Sequence, residues 1–174
     1  MPDFRQIDIF TDFATGGSFR AVAADLTEAE KKTIQEAFAI LERTLRRSGV
    51  ELTAPGSVAD YLKLNSSSRE HEVFTVLFLD NKNCLIEKQD MFRGTINAAS
   101  VYPREVVKEA LRLNAAAVIL AHNHPSGVEE PSQADRAITK RVKDALELVG
   151  VQTLDHFIIA RTNHLSFAEK GLMP

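Results

Sequence analysis

The sequence predicts a layered α/β or α+β domain around a central sheet, preceded by a helical extension. Three observations carry this expectation. The runs Val73–Leu79 and Ala115–Ala121 are apolar almost without interruption. Runs of that length suit strands buried on both faces and are too short to span a bilayer. Stretches with apolar residues at helical spacing lie before, between and after them. Helices that alternate with buried strands bury their apolar stripes by packing in layers on a sheet.

Composition narrows the class. The chain has 174 residues, 44% of them hydrophobic and 26% charged, enough for one domain with a substantial core. Its net charge is −3, with a pI near 6.0. That balance lacks the basic footprint of a nucleic-acid binder. The single cysteine, Cys84, excludes an internal disulfide and a cysteine-rich zinc site. The start, Met1-Pro2-Asp3-Phe4-Arg5, has no apolar core of a secretory signal. A cytoplasmic protein is expected.

The elements follow in order. Residues 1–26 show no clean period, and Gly16-Gly17-Ser18 marks a turn. Thr27-Glu28-Ala29-Glu30 reads as a capping box, with Ile34, Phe38, Leu41 and Leu45 at helical spacing behind it. This predicts an amphipathic helix from Glu28 to Ser48, stopped by Gly49, whose charged face is solvated. Ala54-Pro55-Gly56 is a break, so the expected division is an extension over 1–54 and a main domain over 55–174. Ser57 is expected to cap a short helix through Leu64, with a polar loop over Asn65–Arg69. The strand Val73–Leu79, the turn Asp80-Asn81-Lys82-Asn83 and a second strand Cys84–Met91 form a hairpin, with Cys84 in the core. After a linker over Arg93–Pro103, Val106, Val107, Ala110 and Leu111 mark a helix ended by Asn114. The alanines of Ala115–Ala121 admit helix, but the flanking Asn114 and His122-Asn123-His124-Pro125 favour strand. A helix over Gln133–Leu148 carries the stripe Ile138, Val142, Ala145, Leu146 and Val149. Leu154–Ala160 and His164–Phe167 complete the set as strands.

The chemistry concentrates in the segment from His122 to Asp135. His122 and His124 stand two apart at a strand end, so both rings leave one face. Pro125 and Gly127 end the strand and turn the chain. Ser132 suits a helix N-cap, and Asp135 falls at the third helical position. Two imidazoles from a strand and one carboxylate from a returning helix make a three-ligand N/O set, the usual way of holding catalytic zinc beside an open position. Separately, the His pair and the capping box are common; joined by a Pro/Gly-rich loop they form a specific signal.

The order His122-x-His124-Pro125, seven residues, Ser132-x-x-Asp135 resembles the metal motif of the JAMM (JAB/MPN) metalloprotease superfamily. The wider context is similar to the RadC-like branch, in particular its short prophage-type members. That resemblance rests on Val76–Asp80, Arg93-Gly94-Thr95, Val101–Val106, Ala115–Leu120 and Leu154-Asp155-His156, and covers residues 55–174. It implies a three-layer α-β-α, cytidine-deaminase-like MPN fold. It implies that His122, His124 and Asp135 bind Zn2+, that Ser132 helps hold the oxyanion or the water, and that a glutamate entering the first strand is the general base. Glu72, two residues before Phe74, is the candidate, and Glu70 the fallback. The residue-level alternative for Glu72 is a solvated strand-entry side chain.

The implied activity is a metal-dependent hydrolase of amide or isopeptide bonds, sensitive to chelators and to protonation of the site histidines. Two other readings are a binding module with a non-catalytic metal site and a nucleic-acid-associated repair or mobile-element protein. Longer RadC proteins carry a DNA-associated helix-hairpin-helix, a pattern that residues 1–54 do not repeat. Other motifs fail: His71-Glu72 is followed by Thr75 where a zincin needs histidine, and the lone Cys84 cannot build a deaminase site. Asp155 is expected to orient His156 in a structural or outer role, with His71 and His164 at the surface.

Overall fold

A computed structural model describes residues 27, 29–30, 32–33, 36–37, 39–40, 52, 55–66, 69, 71–94, 101–161 and 163–174. Its elements are α1 (Pro55–Ser66), β1 (Val73–Leu79), β2 (Leu85–Arg93), α2 (Pro103–Arg112), β3 (Ala117–Asn123), α3 (Gln133–Glu147), β4 (Gln152–Ala160) and β5 (Asn163–Ser166). The five strands form one mixed sheet in the order β2-β1-β3-β4-β5. Only the β3–β4 pair is parallel, and α3 makes that crossover. The fold is α/β, as the sequence predicts.

Strand alternation builds two cores. Leu77 and Leu79 of β1, Ala117, Ile119 and Ala121 of β3, and Phe157 and Ile159 of β4 face α1, where Val58, Ala59 and Leu62 cover them. The alternate residues Phe74, Val76, Phe78, Val118 and Leu120 face α2 and α3, meeting Val106, Ala110, Ile138, Val142 and Leu146. Every residue of β1 and of β3 is buried, which explains their uninterrupted apolar texture. Because side chains alternate, His122 continues the Val118–Leu120 face and points toward α3.

Several boundaries differ from the expectation. Helix α1 begins at Pro55 rather than Ser57, because proline's fixed φ and missing N–H are tolerated in a first helical turn. It runs through Asn65 and Ser66, which the sequence suggests as loop. Strand β3 starts at Ala117 and extends to Asn123, taking His122 into the sheet. Cys84 is not core: it is half-buried at the end of the hairpin turn. There Asp80 Oδ1 accepts the N–H groups of Lys82 and Cys84, and Asn83 takes a positive φ of 58°. Val149 lies beyond α3 and is exposed.

The Thr27–Glu30 capping box is present, with Thr27 N–H donating to Glu30 Oε2 at 2.7 Å and Glu30 N–H to Thr27 Oγ1 at 3.3 Å. The expected stripe Ile34, Phe38, Leu41 and Leu45, the helix end at Ser48 and the turn at Gly16-Gly17 lie outside the described residues. No helix among the described residues is long and apolar enough to cross a membrane.

Candidate metal centre

His122 leaves the last turn of the β3 pleat, and His124 follows just past the strand end. The His124 N–H still bonds Ile159 O of β4 at 2.8 Å, so the chain remains anchored to the sheet. The chain then folds back. Gly127 adopts φ +83°, and its N–H returns to His124 O. An added Cβ at Gly127 would stand 3.3 Å from Arg161 Cδ, so glycine suits both the backbone and the space. This return sets Val128 O 2.6 Å from His124 Nδ1.

Helix α3 supplies the third group. Ser132 is the N-cap: its Oγ accepts the Asp135 N–H at 3.1 Å, while Asp135 Oδ2 accepts the Ser132 N–H at 2.7 Å. The box fixes the carboxylate, and a negative charge in the first helical turn suits the helix dipole. Asp135 Oδ1 lies 3.3 Å from His122 Nε2, and Asp135 Oδ2 lies 3.7 Å from His124 Nε2. The two Nε2 atoms are 2.9 Å apart. The His122 and Asp135 side chains are each 1% exposed and that of His124 12%, so the cluster is closed on all sides but His124's.

Two features suit this donor set to a cation. Asp135 Oδ1 is buried and accepts no hydrogen bond, a costly arrangement for a carboxylate oxygen unless a positive charge faces it. The separations suit a cation as well: ligand atoms about 2 Å from a tetrahedral zinc stand about 3.3 Å from each other, His122 Nε2 lies 2.9 Å from His124 Nε2 and 3.3 Å from Asp135 Oδ1, and one ligand atom from each residue falls within 4.8 Å of the others. Burial lowers the His122 pKa to about 4, outweighing the opposing charge of Asp135 and adding to repulsion from His124. His122 is therefore neutral at ordinary pH, the form that ligates metal. Phe74 lies parallel to the His122 ring at 6.4 Å and makes up part of the apolar surround.

A further histidine packs behind His122. His156 of β4 is fully buried, with its Nε2 2.8 Å from His122 Nδ1 and its Nδ1 2.6 Å from Thr139 Oγ1. Burial holds its pKa well below the ordinary histidine value, with the His122 and His124 charges acting in the same direction. Asp155 does not orient this ring, contrary to expectation. Its Oδ1 accepts the backbone N–H groups of His156 and Ala168, and Ser166 Oγ donates to its Oδ2. Neighbouring strand residues point to opposite faces, so Thr139 of α3 reaches the ring and Asp155 cannot.

Glu72 lies just before β1. The antiparallel β1–β3 register ends at the pair Phe74–His122, so Glu72 lies two residues beyond the last pair. Asn123 clamps this entry: its Oδ1 accepts the Val73 N–H and its Nδ2 donates to His71 O, both at 2.9 Å. The Glu72 carbonyl accepts the Gly94 N–H from the end of β2. Glu70 lies outside the described residues. His71 is exposed, and His164 is half-buried beside the Phe157 ring rather than free at the surface.

Sequence reasoning missed the contacts of Thr139 and Asn123. Thr139 had a local signal, since it follows Asp135 by one helical turn and shares its face. Asn123 had none, because its partners lie some 50 residues away.

Fold and site together define an α/β domain with a His-His-Asp group, buried except at His124, that could hold a metal ion. The RadC-like JAB domain family matches residues 52–172, and the chain belongs to it. Among its relatives, a UPF0758 protein of Methylibium petroleiphilum is 62% identical over 120 residues, 69% of this chain and 54% of that protein. A UPF0758 protein of Vibrio cholerae is 54% identical over 142 residues, 82% of this chain and 89% of the relative. A third, from Thiobacillus denitrificans, is 51% identical over 152 residues, 86% and 68% respectively. The chain thus spans about half the length of the first relative and most of the second.

Proposed function

We propose that this chain is a zinc-dependent hydrolase of the JAMM type, acting in the cytoplasm on an amide or isopeptide bond. The observation that carries the reading is Asp135 Oδ1, buried without a hydrogen bond and 3.3 Å from the Nε2 of His122. His122, His124 and Asp135 would hold the ion. Bound zinc supplies Lewis acidity, which acidifies water and polarises a carbonyl.

The other roles belong to residues of the chain. Glu72, two residues before the Phe74–His122 pair, accepts a proton from the attacking water and passes it to the leaving amine. Asn123 holds the backbone on both sides of Glu72 and so fixes where that carboxylate starts. Ser132, whose Oγ accepts the Asp135 N–H, keeps its own O–H to donate to the charge developing on the carbonyl oxygen. His122, walled by Phe74, keeps bulk water from the rear of the site.

The test measures zinc content of the purified chain and hydrolysis of peptide and isopeptide-linked fluorogenic substrates. The expected result is one zinc ion per chain and a cleavage activity that chelation removes and zinc restores. Glu72→Gln keeps the zinc and lowers the rate about 10²- to 10⁴-fold, the usual worth of a general base. Hydrolysis that survives full chelation overturns the reading. Bound zinc with no cleavage of any substrate favours the binding-module reading, and salt-sensitive DNA retention in a gel shift favours the nucleic-acid one.

A further inference from the structure

Behind the metal-facing atoms, buried polar groups join His122 to the backbone of Asp135. Thr139 Oγ1 lies 2.5 Å from Asp135 O, His156 Nδ1 lies 2.6 Å from Thr139 Oγ1, and His122 Nδ1 lies 2.8 Å from His156 Nε2. Thr139, His156 and His122 are all buried to within 2% of completely, so water does not compete for these bonds.

We infer that Thr139 and His156 are positioning residues that form a one-way hydrogen-bond relay, holding the His122 proton on Nδ1 and leaving its Nε2 lone pair bare toward His124 and Asp135. The direction follows from one group that cannot donate. A peptide carbonyl only accepts, so Thr139 spends its single proton on Asp135 O. Thr139 Oγ1 can then only accept, and His156 Nδ1 carries the hydrogen between them. A buried imidazole with no carboxylate beside it stays neutral, so the other nitrogen of His156 is a bare acceptor. His122 Nδ1 must therefore donate to it, and a neutral His122 has no proton left for Nε2.

His124 reaches the same state by a simpler route. Its Nδ1 faces Val128 O, again an acceptor only, so in the neutral ring its Nε2 is bare as well. Two bare nitrogens 2.9 Å apart cannot hydrogen-bond each other, and their lone pairs repel unless a cation lies between them. The two ligands differ in how their tautomers are secured. A backbone carbonyl, beyond the reach of a point substitution, fixes His124; a chain of two side chains fixes His122. That chain ends on the backbone of Asp135, so it also couples a strand-borne ligand to a helix-borne one.

The consequence for metal affinity rests on reading the cluster as a metal centre; the relay itself does not. Two measurements separate them. In the chelator-treated full-length chain, labelled with 15N-histidine, long-range 1H–15N correlation spectra report which ring nitrogen carries hydrogen. The expected pattern is Nδ1–H at His122, His124 and His156. Thr139→Val removes the acceptor at nearly constant shape, freeing His156 to place its proton on Nε2. That forces His122 Nδ1 to accept and moves the His122 proton to Nε2. Thr139→Ser keeps the hydroxyl and restores the wild-type pattern.

Zinc affinity, read by competition with a chromophoric chelator, is expected to fall about 10- to 100-fold in Thr139→Val, as when an outer partner of a ligand is lost, and to recover in Thr139→Ser. The relay is overturned if wild-type His122 carries its proton on Nε2, a reading that needs no variant to fold. It is also overturned if folded Thr139→Val keeps Nδ1–H at His122. The expected tautomers in a chain that takes up no zinc support the relay and overturn the metal reading alone.

Discussion

Two capping boxes among the described residues share one design, yet their carboxylates lead different lives. Thr27-x-x-Glu30 and Ser132-x-x-Asp135 both close reciprocally, hydroxyl to N–H at one end and carboxylate to N–H at the other. Glu30 is exposed, and its two visible partners belong to Thr27. Asp135 is fully buried; one oxygen serves the box, while the other faces His122 without a hydrogen bond. The motif sets the direction in which each carboxylate leaves its helix. Only the packing of α3 against the sheet turns one of them into a candidate metal ligand. The Asp135 box carries an energetic cost that the Glu30 box does not, because an unmatched carboxylate oxygen in a dry interior is unfavourable.

The largest effect should come from Asp135→Asn. The amide keeps an oxygen for the Ser132 N–H but removes the charge. Zinc affinity is expected to fall by more than the roughly 100-fold that losing an outer partner costs. In the same variant stripped of metal, thermal stability should match or exceed that of the wild type by about 1–3 kcal/mol, since an uncompensated buried charge is gone. Metal titration and melting curves with and without chelator check both signs. A metal-free variant clearly less stable than the metal-free wild type would erase the contrast between the two boxes.

Ser132→Ala comes next. It removes the oxygen that accepts the Asp135 N–H, at about 1 kcal/mol for a lost cap. Under the proposed function it also lowers turnover about 10²-fold by removing a donor to the oxyanion. Urea melts and steady-state rates separate these contributions, and an unchanged rate would restrict Ser132 to capping.

The corresponding change in the exposed box, Thr27→Ala, should slightly reduce helix content by circular dichroism and leave zinc content and rate unchanged. Altered metal binding in this variant would show that the two boxes communicate. The smallest effect is one of pH. The Thr27 hydroxyl, and then its backbone N–H, hold the Glu30 carboxyl below its ordinary value of 4.5. A depressed carboxyl stabilises the folded form above that ordinary value and loses the contribution as pH falls through the lowered one. A helicity titration from pH 7 to 3 should show a small loss at the acid end that Thr27→Ala reduces, because the backbone N–H remains.

Much of the fold was readable because its signals are local. The unbroken apolar run of β1, the Asp80–Asn83 turn, the stripe Ile138–Val142–Leu146 and the stop at Gly150 each depend on neighbours within one or two turns of chain. The misread boundaries share a cause. Pro55 reads as a break but opens α1, and Cys84 reads as core but ends a turn. Both residue types occur in either role, and contacts outside the segment decide between them. At the site, the convergence of His122, His124 and Asp135 is legible from spacing, whereas the partners behind them are not.

What the sequence alone determined is a set of directions. His122 and His124 share a face because strand side chains alternate, and Asp135 points back over its own helix start because Ser132 caps it. Tertiary structure decided what those directions meet. Parallel pairing of β3 with β4 brings His156, 34 residues away, to 2.8 Å from His122. Antiparallel pairing of β1 with β3 sets Phe74 beside His122. Backbone stereochemistry orients a side chain over two to four residues; which distant strand lies beside it is settled by how the whole apolar core packs.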